Sequence, residues 1–416
     1  MYWNKALTAV FGLVPLTTGL CAPACCAPPT KTQPPPLAKQ VTATVEGGNR
    51  FACDLYQRLR HDDRNLFFSP ASISMALAMA YAGAAENTEA EMAKVLHFAT
   101  PKAQFGAQMR ILLSLCIAND KKQGFRLDVA NRLWGQEGEP FLPEFLRVTR
   151  ADYGAELGRV DFRSGTERAR QTINSWVLDH TGQKIAKMIP SAAELAGARL
   201  VLTNAVYFKG RWTVPFDRRL TKNAEFHISP DRNVEAPFMH PEYAYGFGYA
   251  HVEDLELLEV PYGDRSLSMI FLLPEKVGKL ARLEDRLTVE NLKTWMGRID
   301  SQYVIVHLPK FTTTGRLNLS DTLRSMGMAS AFDATANFSR MTNAKGVFLS
   351  AVNHEAHVDV NEEGTEAVAA TTGAVGSADE PPPPPVFRAD RPFVFLIRDN
   401  RTAAILFVGR IVDPTT

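Results

Sequence analysis

Two periods of apolar patterning divide this chain. Residues 71–82 read ASISMALAMAYA, apolar or small on nearly every side, which predicts a helix buried all round. Ser69 before Pro70 offers an N-cap and a first-turn residue, and Gly83 is a natural stop. Thr88-Glu-Ala-Glu91 has the form of a capping box and predicts a further helix through Phe98. Helical character returns over residues 167–185 and 319–326. Strand-like runs occupy 125–129, 200–208, 267–273, 303–310 and 354–360. Two more, 393–398 and 403–412, close the chain around the turn residues Asp399-Asn400. Helices crowd the first half and strands the second, an α+β pattern without βαβ repeats.

One stretch fits neither period. Residues 364–385 read GTEAVAATTGAVGSADEPPPPP, whose composition is that of a flexible linker. The residues after it, 386–416, make little more than two strands, and an isolated hairpin is marginal in water. Those strands must complete a sheet in the main body. The odd stretch is then a loop of about twenty residues inside one domain, a length that signals function. Along it, Thr365, Ala367, Ala369, Thr371, Gly373 and Val375 alternate, and none is charged or bulkier than valine. As a strand these would share one face that slides over a packed core without desolvating a charge, while Glu366 falls on the other.

Composition narrows the function classes. The 416 residues carry a net charge of +1, which gives no general reason for nucleic acid or an anionic membrane as partner. Lys5, an apolar run over 6–20 and the small residues and cysteines of CAPACCAP follow the order of an export signal, assigned to residues 1–27. The run is shorter than the roughly 18–20 residues of a membrane span, though Cys21 or Cys25 stays open as a lipid acceptor. A secreted or extracytoplasmic protein is expected, meeting a membrane only if lipid-anchored. Residues 28–45 form a Pro-rich tether before a single domain, 46–416. Cys53 and Cys116 make no disulfide framework and read as buried thiols.

Several blocks together resemble the serpin family from about residue 49 to 414. They are NLFFSPASISMALAMAYAGA at 65–84, TNAVYFKGRW at 203–212, LPKF at 308–311, AVNHEAHVDVNEEGTEA at 351–367 and FRADRPFVFLIRDNRTAAILFVGRIVDP at 387–414. The resemblance implies three β-sheets, about eight or nine helices and an exposed reactive loop over about 362–385. It implies a suicide substrate for a serine protease, in which the cut loop enters the central sheet before the acyl-enzyme is released. By the same resemblance, Glu362, Glu363, Gly364, Thr365, Glu366, Ala367, Ala369 and Ala370 form the hinge, and Ala378–Asp379 is the bond attacked, with Val375 as second choice. A small Ala378 suits an elastase-like or subtilisin-like protease. Ser69, Ser72, Asn204 and His354 match a polar cluster beneath the opening sheet, and Trp212 an aromatic near the loop's entry. The plainer alternatives are a satisfied core histidine for His354 and ordinary core packing for Trp212.

Enzyme readings are weak. His354-Glu-Ala-His357 lacks the second intervening residue of a zinc motif, and on a strand its histidines face opposite ways, so no metal is expected. No nucleophile elbow or phosphate loop is present, no cofactor is implied, and Gly246-Phe-Gly248 reads as a turn. A monomer is expected. The rival function is a non-inhibitory serpin, a binding or chaperone-like protein whose loop is cleaved without trapping. Gly373 and Gly376, poor strand formers that slow insertion, are its support.

Overall fold

The structure, a computed structural model, describes residues 41–116, 124–241, 244–363 and 383–416. Nine α-helices lie among the described residues, six of them before residue 181, and strands dominate the second half. The α+β expectation holds. The buried helix runs Pro70–Gly83, with the Ser69 hydroxyl accepting the Ser72 backbone N–H at 3.2 Å. The capping box does not form. Its helix starts earlier, at Glu86, and Thr88 is buried one turn in. The Thr88 hydroxyl bonds Ser330 Oγ at 3.2 Å and accepts from the Asn337 N–H at 3.0 Å, so tertiary partners outcompete the local cap.

A five-stranded sheet carries the feature that matters most. Its order is Phe311–Asn318, Leu349–Val360, Leu200–Gly210, Phe125–Gln136, Gly158–Val160. Leu349–Val360 pairs antiparallel with Phe311–Asn318 but parallel with Leu200–Gly210. The parallel join runs from Leu349 opposite Leu200 to Val358 opposite Phe208, with a register shift between Leu349 and Ala351. Period-two alternation sends Ala356, Val358 and Val360 to the inner face, where they join Phe67, Val206 and Phe208 in the core. The outer face is packed by Ile173 and Val177 of helix Thr166–His180, against Ala130, Val201 and Ala205.

The remaining strands form a ten-stranded sheet. Strand Asp300–Pro309 joins its two parts, pairing with Tyr245–Val252 through residues 300–304 and with Arg232–Met239 through Leu308 and Pro309. The second and third expected sheets are thus hydrogen-bonded into one ribbon. The C-terminal hairpin, Phe393–Asp399 and Ile405–Ile411, completes it beside Leu267–Pro274 and Leu66–Phe68, as the marginality of a lone hairpin demanded. Gly246 and Gly248, read above as a turn, sit inside strand Tyr245–Val252. Gly248 packs where a Cβ would press on Ile299 and Glu259, so close packing explains it. Gly315 is tighter still, because a Cβ there would collide with the Phe67 carbonyl oxygen.

Candidate functional site

The parallel join between Leu349–Val360 and Leu200–Gly210 is the candidate site, with the chain that leaves it at residue 361. Helix Pro70–Gly83 lies beneath it and delivers Ser69 and Ser72 from its first turn. His354 comes from one strand of the join and Asn204 from the other, as register partners. All four are buried, His354 to 1% exposure.

Their hydrogen bonds fix one protonation state. The Ser69 backbone N–H donates to His354 Nε2 at 3.1 Å, so Nε2 is unprotonated. The ring proton therefore sits on Nδ1 and faces Asn204 Oδ1. Asn204 Nδ2 in turn donates to Ser72 Oγ and to Asn131 Oδ1. The Ser69 hydroxyl donates to the Leu406 carbonyl at 2.7 Å. Burial pushes His354 down to about 3, only partly offset by its bond with Asn204. The ring is neutral and satisfied, and its partner stands on the opposite side of the join. The core-histidine reading and the cluster reading describe one arrangement.

Asn131 was not singled out from the sequence. It sits opposite Asn204 in the antiparallel register of Phe125–Gln136, a position visible only once the strands are paired. His357 faces the outer side, as parity requires. It stacks on Tyr207 at 5.7 Å between ring centroids and bonds Thr314 Oγ1 at 2.8 Å. The two histidines thus cannot share a metal, and no group of three metal-binding side chains gathers among the described residues.

At the end where the loop departs, the chain is clamped. Trp212 is buried, stacks on Tyr262 at 4.4 Å, and donates its indole N–H to the Asn361 carbonyl at 2.9 Å. Core packing and a place at the loop's root both describe it. Glu362 is 4% exposed, with Lys310 Nζ at 2.8 Å and the Thr221 hydroxyl donating at 2.6 Å. Burial raises its pKa, but the Lys310 and Thr221 bonds more than offset that and leave the carboxyl below its ordinary range. Glu363 is more exposed and pairs with Arg218, with Lys209 at 3.9 Å. The first two residues assigned to the hinge are therefore its anchored base. Gly364, Thr365, Glu366, Ala367, Ala369, Ala370, Val375, Ala378 and Asp379 lie outside the described residues. The chain is described again from Pro383, and Ile305 N–H donates to the Pro385 carbonyl at 2.9 Å.

Chemically the site holds no nucleophile and base in register. It is a parallel strand join bridged by one polar pair, and what its parting would do follows from strand polarity. Parting breaks the parallel ladder and leaves two edges, both running the same way. A strand arriving from residue 361 would have to turn back on itself and so run antiparallel to both edges at once. Two antiparallel ladders then replace one parallel ladder, a net gain of backbone pairing in the better geometry.

Comparison with known proteins matches this description. The family model for "Serpin (serine protease inhibitor)" covers residues 46–414. Leukocyte elastase inhibitor of Sus scrofa is 39% identical over 373 residues, spanning 88% of this chain and 98% of that protein. The Homo sapiens protein of the same name is 38% identical over 376 residues, spanning 88% and 98%. The solved structure of uncleaved ovalbumin superposes with a TM-score of 0.80 at 29% identity, covering 90% of this chain and 100% of that one. With nearly the whole domain matched and the parallel join intact, this chain belongs to the serpin family of serine protease inhibitors.

Proposed function

We propose that this inhibitor acts on an elastase-like serine protease and traps it by taking its own cut loop into the parallel join. The observation that carries the mechanism is the join itself. It is held across its inner face by the His354–Asn204 pair and opens beside the anchored residues 361–363. Residues 365–378 span roughly 46 Å as a strand, and the twelve residues of Leu349–Val360 about 40 Å. An inserted loop of that length therefore carries whatever is bound at residue 378 from one end of the join to the other.

The chemistry belongs to the protease until that point. Its serine attacks the Ala378 carbonyl, the amide to Asp379 breaks, and the amine leaves with Asp379 after taking a proton. An ester joins the two proteins. Release requires water to attack it with the protease's groups in place, and dragging the ester across the sheet disturbs that placement. Ser69, Ser72, Asn204 and His354 gate the opening, and Trp212 with Glu362 fixes the point from which insertion starts. The elastase preference rests on the small Ala378 and on the kinship with leukocyte elastase inhibitors. Export through residues 1–27 and a monomeric domain complete the reading; the tether expected over 28–45 is shorter than its composition suggested, because Thr42–Leu59 is a helix and Val41 and Val45 are buried in the core. A lipid on Cys21 or Cys25 is the alternative to free release, and the mass of the mature N-terminus distinguishes the two.

The test is incubation of the mature protein with elastase, subtilisin, chymotrypsin and trypsin, followed by a denaturing gel and mass spectrometry of the released peptide. A denaturation-resistant complex with elastase and a peptide beginning at Asp379 is expected. Cleavage by every protease with no complex would overturn trapping.

A further inference from the structure

Two large apolar side chains stand exposed among the described residues, Tyr303 at 63% and Val386 at 51%. They are neighbours. Strand Val386–Arg388 runs parallel to Asp300–Pro309 with Val386 opposite Ile305 and Arg388 opposite His307. The buried alternates Val304, Val306 and Phe387 fill the core, which leaves Tyr303, Ile305, Val386 and Arg388 on the outer face. Cross-strand from Tyr303 is Gly246, whose open side would let a Cβ meet little but Ser301 Oγ at 3.8 Å. The tyrosine ring therefore has no side chain to lie against on that neighbour, an unusual place for an aromatic on a sheet.

We propose that this face is a docking shelf for the body of the target protease, bound while its active site holds the loop. The inference rests on the loop reading above and adds a second contact to it. From Asp379 to Val386 the chain advances seven residues, a path of at most about 25 Å. A protease domain of some 200 residues has a radius of gyration on the order of 16 Å, so it is roughly 40 Å across. A protease engaged at residues 378–379 is therefore held within its own width of the shelf. Pro383, Pro384 and Pro385, the described end of that path, each have φ fixed by the ring. An apolar centre of tyrosine, isoleucine and valine beside an exposed arginine is the composition of an interface core and its rim. The occupant is thus a folded serine protease presenting an apolar surface next to its substrate cleft.

The experiment uses leukocyte elastase with its catalytic serine replaced by alanine, so that binding is reversible and independent of trapping. Its Kd is measured for the full-length chain and for the pair Tyr303→Ser with Val386→Ser. Roughly tenfold weaker binding by the double variant is expected, the scale of losing a central aromatic contact. Thermolysin, which is not a serine protease, should cut the loop of both proteins at equal rates, showing that the loop itself is unaltered. Equal affinity of both proteins for the inactive elastase, or none by either, overturns the shelf. The fate of the trapping reading is seen separately, in whether the wild-type chain forms the denaturation-resistant complex with active elastase. A variant that unfolds is recognised by its melting curve, and Tyr303→Phe with Val386→Thr then repeats the comparison with smaller changes, a threefold loss being expected.

Discussion

Strand Leu349–Val360 has two sides, and they are built differently. Toward Phe311–Asn318 the pairing is antiparallel and unbroken from Phe311 opposite Val360 to Asn318 opposite Asn353. Side-chain pairs reinforce it, including Arg316 to Glu355 at 3.0 Å and the Thr314–His357 bond. Gly315 brings this neighbour hard against the Phe67 backbone of the other sheet. Toward Leu200–Gly210 the pairing is parallel and shifts register near Leu349, and it is bridged inside by one neutral polar pair. One side is fixed to the body of the molecule; the other is the one proposed above as a latch. On that proposal the sheet would open at one place, specified by strand polarity together with a few polar side chains.

The asymmetry of the two sides loses its consequence most completely if the incoming strand is made unable to enter. Thr365→Arg places a charge on the face meant to pass over the core, where desolvation costs several kcal/mol. Trapping should be abolished and the chain turned into a substrate; undiminished complex formation on a denaturing gel would refute the inward face. Asn204→Ala removes the latch while leaving the other side intact. It strands the His354 Nδ1–H, and a loss of about 1–3 kcal/mol is expected, seen as a lower Tm and earlier polymer formation on native gels. Arg316→Ala, on the fixed side and half in solvent, should not promote polymers, and equal behaviour of the two variants would erase the distinction.

Acid acts on the latch by a predictable sign. His354 is held neutral with its folded pKa near 3, below the ordinary 6.5, so the folded state is the poorer proton acceptor. The stability tied to that difference is complete above pH 6.5 and is lost as pH falls from there toward 3, on the order of 1 kcal/mol per pH unit. Thermal melts between pH 7.5 and 4 should steepen below 6.5, and His354→Gln should lack that component. Smallest is the outer-face stack. Tyr207→Leu removes an aromatic partner of His357 across the join, for about 0.5–1 kcal/mol, and should modestly speed loop insertion in stopped-flow traces.

The sequence carried much of this arrangement. Buried all round and capped at Ser69, helix Pro70–Gly83 announced itself, as did strand parity in His354 and His357. What escaped were features created by pairing. Asn131 becomes part of the cluster only through its register with Asn204, and the Lys310–Glu362 bond joins residues that flank strands Phe311–Asn318 and Leu349–Val360, which must first be neighbours. Strands Lys222–Ser229 and Arg232–Met239 escaped because few of their residues are buried, leaving little apolar signal. Thr88 misled for the converse reason, since a good local cap was overruled by partners more than 200 residues away.

Strand polarity at the parallel join also sets the arithmetic of inhibition. Once two antiparallel ladders have replaced one parallel ladder and the loop has been severed, the chain would have no route back to its starting form. Each molecule is consumed by one encounter. The protease load that can be absorbed is then counted in copies of this protein and in its rate of synthesis, and tighter binding alone cannot raise that ceiling.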